Sequence, residues 1–207
     1  HPVNRRQRQM CIRDSFNKLY DEHKEKSKAE KSLGNENMEI DVELNEFVGY
    51  ENTESKSKIY QVETYDDKFI IFTKENPFYY EAGGQISDKG VVTIDDTSIE
   101  VIDVFQANNG ATGLIVDSDI FKVDQEVELS VNKSFRSGVS KSHTGAHIVH
   151  SALRNILGDH VAQAGSNVTP GKFRFDFSHT EKVSQEELDE IFALSNSAVF
   201  EDYEVNT

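Results

Sequence analysis

Val127-Glu128-Leu129-Ser130-Val131 alternates apolar and polar side chains without a break, and shortly afterwards the period changes. Beyond Ser137-Gly138 the apolar positions are Ala146, Val149, Leu153, Ile156 and Leu157, spaced mostly by three and four. Strict alternation is the mark of a half-buried strand, and spacings of three and four line one face of a helix. Gly158 follows as a stop signal, so the helix is predicted to close at about Leu157. The chain therefore passes from β to helical texture at this point, and its organisation can be read outward in both directions.

Upstream, strands are predicted near 39–44, 58–64, 68–73, 90–94, 98–105, 112–116 and 125–131. Asp66-Asp67, Asp95-Asp96 and Asn108-Asn109-Gly110 separate several of them. Many short strands with polar turns make a small barrel or sandwich. Downstream, Lys172-Phe173-Arg174-Phe175-Asp176-Phe177 alternates again. Ser184-Gln185-Glu186-Glu187 reads as a capping box opening an acidic helix over about 185–199. Glu204-Val205-Asn206-Thr207 looks like the start of another strand. The fold class predicted is α+β, a small β-barrel over 37–135 followed by an α/β region over 136–207.

The first 36 residues differ from the rest. Residues 1–15 hold four arginines and the single cysteine, Cys11, and resemble translated adapter sequence, so they are expected to be a non-native tail. Phe16, Leu19 and Tyr20 form a narrow apolar stripe in a Lys/Glu-rich stretch. That predicts a solvated connector helix within 16–36, stopped by Leu33-Gly34-Asn35.

Hydrophobic residues make up 36% and charged residues 29%, which excludes collagenous or wholly disordered chains. No apolar run approaches the roughly 18–20 residues of a membrane helix. One cysteine excludes an internal disulfide and fits a reducing, cytoplasmic setting. The net charge of −15 argues against coating a nucleic acid with the whole surface. Between Val131 and Asp176, however, Lys133, Arg136, Lys141, Arg154, Lys172 and Arg174 face only Asp159 and Asp176. Such a basic stretch can meet a few phosphates, although a window of this size also fluctuates in charge.

Three short motifs could carry chemistry. His143 and His147 lie four apart on the predicted helix, so one face presents two imidazoles a turn apart. That spacing suits one metal ion, but taken alone it reads first as a polar helix face, and a zinc site needs further ligands. His150 lies seven residues from His143 on the same side, and no Glu follows His143, so the metalloprotease pattern is absent. Gly83-Gly84-Gln85 allows positive φ and close backbone approach, either beside a ligand or RNA or in a plain hairpin turn. Gln163-Ala164-Gly165-Ser166 reads as a loop offering an amide and a hydroxyl for small polar groups.

Taken in order, four stretches resemble alanyl-tRNA synthetase: Phe78-Tyr79-Tyr80-Glu81-Ala82-Gly83-Gly84-Gln85-Ile86-Ser87-Asp88-Lys89-Gly90; His143-Thr144-Gly145-Ala146-His147; Gln163-Ala164-Gly165-Ser166; and Arg174-Phe175-Asp176-Phe177-Ser178-His179. The resemblance spans about 16–207. It implies that 136–207 is the N-terminal part of a two-layer editing domain of the threonyl/alanyl-tRNA synthetase type, truncated at its C-terminus.

The family's editing domain hydrolyses tRNA-Ala mischarged with serine or glycine. Discrimination requires this second step, because an activation site sized for alanine cannot fully reject an added hydroxyl. By resemblance His143 and His147 are zinc ligands. The other two, in a Cys-x-x-x-His motif, lie downstream of this chain, and Cys11 cannot stand in. Gln163 and Ser166 match the positions that handle the mischarged amino acid. Gly83, Gly84, Gln85, Lys141, Arg154 and Arg174 are the candidates for contact with tRNA-Ala, and Asp176 lies in the strand beside the pocket. Ala146 departs from the family, which commonly has Thr there. The parent uses ATP and magnesium in a synthetase domain outside this chain. A free-standing alanyl editing hydrolase and a non-catalytic RNA-binding module are the alternatives.

Overall fold

The computed structural model describes residues 40–201. The expected tail, connector helix and terminal strand at 204–207 lie outside the described residues. The elements are β1 (Glu46–Phe47), β2 (Glu54–Tyr65), β3 (Lys68–Thr73), β4 (Glu75–Asn76), β5 (Gly90–Ile94), β6 (Thr97–Gln106), β7 (Thr112–Val116), β8 (Glu126–Val131), α1 (Lys133–Leu157), β9 (Gln163–Thr169), β10 (Lys172–Phe177) and α2 (Gln185–Phe200). Six strands close into a barrel in the order β2-β3-β7-β6-β5-β8. Every neighbouring pair in it is antiparallel. The α+β expectation is met, and the two-way choice between barrel and sandwich resolves as a barrel.

Alternation explains the barrel interior. Val127, Leu129 and Val131 of β8 point inward with Ile59, Ile71, Val92, Val101, Leu114 and Val116, while Glu126 and Glu128 face water. Strands β3 and β7 break the alternation because both of their faces are covered. Ile71 and Leu114 enter the interior, whereas Ile70, Phe72 and Ile115 pack outside it against Val42, Phe105, Ala107 and Ala111. Two-sided burial is what a continuous apolar run such as Phe69-Ile70-Ile71-Phe72 encodes.

The cover on that outer face corrects one expectation. Residues 40–44, the described part of the strand predicted near 39–44, form no strand. Their backbone is held by side chains instead of a ladder. Tyr60 Oη donates to the Glu43 carbonyl at 2.6 Å, Gln61 Nε2 to Asp41 O at 3.0 Å and Asn109 Nδ2 to Val42 O at 2.5 Å. Asn45 Nδ2 then reaches the carbonyls of Thr73 and Thr112 at 3.0 and 2.7 Å. An apolar strip with its carbonyls satisfied this way needs no strand partner.

The hairpin turns use acidic residues in the left-handed region. Asp95 and Asp96 both have positive φ, 45° and 63°, as a two-residue turn between β5 and β6 requires. Asx residues tolerate that region better than other side chains with a Cβ.

Helix α1 starts at Lys133, before the change of period at Ser137-Gly138, because Asn132 caps it with its side chain on the Phe135 N–H. It ends at Leu157 as predicted, with Gly158 at φ 110°. Beyond it, Gln163–Thr169 corrects the loop expected there. It is β9, paired antiparallel with β10 through the Thr169-Pro170-Gly171-Lys172 turn. Helix α2 carries the predicted capping box, with Ser184 Oγ accepting from Glu187 N at 3.2 Å and Glu187 Oε2 accepting from Ser184 N at 2.8 Å. Ser184→Ala removes one half of that box and should destabilise the chain by about 1 kcal/mol. A shift in the urea midpoint with unchanged slope measures it.

α1, α2 and the β9–β10 hairpin share a second core of Ala152, Leu153, Val161 and Ile191, with Phe175 and Phe177 packed against it. No helix among the described residues is long and apolar enough to cross a membrane.

Candidate functional site

The turn that joins the barrel to the second core is built from Gly83 and Gly84, at φ 62° and 80°. Both values lie in the left-handed region that favours glycine. The turn closes on itself through Gln85 N donating to Ala82 O at 3.0 Å. It then lies along β9, with Val168 N donating to Gly84 O at 2.7 Å and Ile86 N to Val168 O at 3.3 Å. A Cβ on Gly84 would run into Ser166 Oγ and stand 2.8 Å from the Ser166 carbonyl oxygen. The double glycine is therefore a close-approach device between barrel and hairpin.

A pocket of about 230 Å³ opens where this turn meets α1 and the hairpin. Gly83, His143, Ala146, His147, Gln163, Ser166, Val168 and Phe175 line it. His143 and His147 project from one face of α1 with their rings stacked, centroids 5.1 Å apart and planes at 20°. Across from them Gln163 Nε2 donates to Ser166 Oγ at 3.0 Å, and Ser166 Oγ in turn lies 3.4 Å from the Gly83 carbonyl. Ala146 is buried in the pocket wall.

Four sequence segments thus converge. Gly83, His143, His147, Gln163 and Ser166 are brought together, and Gly84 lies directly behind Ser166. Gln85 is placed differently from its sisters: it is buried, with Oε1 2.8 Å from His143 Nδ1. Lys141, Arg154 and Arg174 are exposed and outside the pocket wall. Much of the basic stretch is neutralised locally. Lys133 pairs with Glu54, Arg136 with Asp88, Arg154 with Asp159 and Arg174 with Asp176. His150 does not join the histidine pair, since its ring lies against Phe175 at 4.9 Å. Phe175, which the fourth motif contains without a site role, and Val168, which no motif contains, also line the pocket. Their signal was the inward half of the alternation in 172–177 and its pairing partner.

His143 offers a nitrogen ligand in a favourable state. Desolvation, and after it the charge of His147, holds His143 below the ordinary imidazole value of 6.5. A neutral imidazole is what a metal requires. Among the described residues no third His, Cys, Asp or Glu joins them, so the donor set fits half of a tetrahedral zinc site. The sign for stability follows from the same shift. Below 6.5 the unfolded chain takes up a proton that folded His143 resists. The resulting penalty is absent above 6.5, grows as pH falls, and is complete below the folded value. An NMR titration of the His143 ring is expected to give a midpoint below 6.5.

The chain belongs to the class II (A) tRNA synthetases, whose family model matches residues 3–135. Within that class it goes with the alanyl-tRNA synthetases. It is 36% identical over 204 residues to the alanine–tRNA ligase of Caldicellulosiruptor saccharolyticus, covering 89% of this chain and 23% of the relative. The alanine–tRNA ligase of Oceanobacillus iheyensis is 39% identical over 166 residues, 75% of this chain and 19% of the relative. That of Fusobacterium nucleatum is 33% identical over 206 residues, 95% of this chain and 24% of the relative. The chain thus spans 19–24% of the length of these relatives.

Proposed function

We propose that this chain is the barrel and the first part of the editing domain of an alanine–tRNA ligase, and that its pocket takes the aminoacyl end of tRNA-Ala carrying serine or glycine. The parent enzyme would attach alanine to tRNA-Ala with ATP and magnesium, and would clear its errors here. The observation that carries the reading is the convergence of Gly83, His143, His147, Gln163 and Ser166 on one small pocket.

The pocket's polar groups suit the task. Gln163 and Ser166 form a donor–acceptor pair that a substrate hydroxyl can enter. A bound serine would complete hydrogen bonds that alanine leaves unmade, which is how a site rejects or selects by one hydroxyl. Gly83 leaves open space in front of the His143 ring, since a Cβ there would stand 3.6 Å from Cε1 and 3.8 Å from Nε2. His143 and His147 would hold zinc, which when bound supplies a positive centre to orient the substrate end or a water molecule. Water must then reach the ester carbonyl and the ribose oxygen must leave. With two ligands of four, the chain alone should bind zinc weakly and hydrolyse slowly.

Zinc titration coupled to seryl-tRNA-Ala deacylation tests this. An exposed second pair, His160 Nε2 and His179 Nδ1 at 2.8 Å, is another place for a divalent ion, so the titration belongs in a His179→Ala background. The expected result is weak zinc uptake and a slow, zinc-dependent hydrolysis lowered at least tenfold by Gln163→Ala. Tight 1:1 zinc with rapid turnover would overturn the half-site reading. Absence of hydrolysis at any zinc level, with RNA binding lost on replacing Lys141, Arg154 and Lys172, would replace editing by a non-catalytic RNA-binding role.

A further inference from the structure

We infer that Gln85 is a positioning residue: the glycine turn of the barrel delivers its side-chain amide to His143 Nδ1, fixing the ring's tautomer and aiming Nε2 at the pocket. The inference rests on the reading of His143 as a pocket ligand, but concerns a residue that the sequence resemblance places among the tRNA contacts. Three observations carry it. Gln85 is only 5% exposed, which leaves its amide little access to an RNA backbone. Its Oε1 lies 2.8 Å from His143 Nδ1, across 58 residues of sequence. Its backbone is fixed, because the residue bridges Val168 of β9 on one side and Ala82 on the other.

A carbonyl oxygen can only accept, so the neutral imidazole must carry its proton on Nδ1 and leave the Nε2 lone pair unprotonated. A neutral histidine ring in water favours the opposite tautomer, Nε2–H, so the contact must overcome that preference. Nε2 lies on the ring edge that faces Gly83, and Gly83 has no side chain to cover it. Ligating histidines are commonly set in this way by an acceptor on the other nitrogen. Here the acceptor comes from the barrel and the ligand from α1. The barrel is thereby part of the pocket's chemistry, and the Gly83-Gly84 turn is the hinge pin that places it.

The test uses the metal-free chain, so it fails or succeeds independently of zinc binding and deacylation. Long-range ¹H–¹⁵N NMR at a pH above the imidazole range reads the tautomer of His143 directly. Wild type should show Nδ1 protonated and Nε2 bare. Gln85→Met keeps the volume but removes the acceptor, and should move the tautomer ratio toward Nε2–H by roughly fivefold or more. Gln85→Glu keeps an acceptor and cannot donate, so it should preserve the wild-type tautomer even if Gln85→Met fails to fold. A wild-type ring protonated on Nε2, a folded Gln85→Met with an unchanged ratio, or a Gln85→Glu that switches to Nε2–H would each overturn the inference.

Discussion

Asp88→Ala is expected to destabilise the chain by about 3–5 kcal/mol, the usual cost of stranding one partner of a buried ion pair. The Asp88 side chain is 1% exposed and that of Arg136 14%. Arg136 Nε donates to both carboxylate oxygens at 2.9 Å, and Nη2 adds a further contact to Oδ2. The same guanidinium donates to Gly49 O at 2.5 Å and Pro77 O at 2.7 Å. Asp88 Oδ2 also accepts from the Tyr79 N–H at 2.7 Å. One charge pair thus joins the first turn of α1 to three separate stretches of the barrel side. Alanine would leave a cation in low-dielectric surroundings with two carbonyls, and an unanswered amide on Tyr79. Urea unfolding should show the lower midpoint with little change in slope. The joint replacement Asp88→Leu with Arg136→Met should recover part of the loss, because no charge is then stranded, while the Tyr79 amide and the Gly49 and Pro77 carbonyls still lose their partners. If the double variant is no better than Asp88→Ala, the stranded charge is not the dominant loss, and packing with the unanswered backbone groups of Tyr79, Gly49 and Pro77 is.

This joint was only half visible in the sequence. Arg136 was one of six basic residues in a stretch that looked suited to phosphates, and Asp88 was part of a motif between strands. Nothing within the segment 131–176 reveals that the guanidinium is taken by a carboxylate 48 residues upstream. Strands were legible because the barrel imposes alternation locally: 68–73, 90–94 and 112–116 agree with β3, β5 and β7. The strand expected near 39–44 failed in the described part for the opposite reason. Ile40 and Val42 are real contacts, but side-chain amides and the Tyr60 hydroxyl rather than a neighbouring strand answer the carbonyls. Strand β9 was hidden by composition, since Gln163-Ala164-Gly165-Ser166-Asn167 has poor β propensity. Its partner decides its conformation. Thr169-Pro170-Gly171-Lys172, with proline then a positive-φ glycine, was the local signal of that hairpin. The histidine pair and Gln163–Ser166 were legible as motifs, whereas the contact between Gln85 and His143 exists only after the barrel turn has been laid along β9.

Gly84→Ala should damage the pocket more than any other single added methyl group in the turn. Two costs combine. A residue with a Cβ in the left-handed region is disfavoured by about 1–2 kcal/mol, and φ at Gly84 is 80°. The new Cβ would also run into Ser166 Oγ and approach the Ser166 carbonyl to 2.8 Å, and backbone cannot step aside as a side-chain tip can. Gly171→Ala separates the two. Its φ is 70°, but nothing lies within 4 Å of its added Cβ, so it carries the conformational cost alone. Gly84→Ala is expected to exceed Gly171→Ala by a further 1 kcal/mol or more in urea unfolding, on the order of an overpacked contact. Its second consequence is geometric. Val168 N donates to Gly84 O at 2.7 Å, so moving the turn off Ser166 pulls against β9 and shifts the partner of Gln163. Because Gln85 follows directly, the displacement should also lengthen the contact to His143 and change that ring's NMR signals, which Gly171→Ala leaves untouched. Equal destabilisation by the two variants, with His143 unchanged in both, would mean that the turn is merely a tight corner and that the close approach of barrel to hairpin does not shape the pocket.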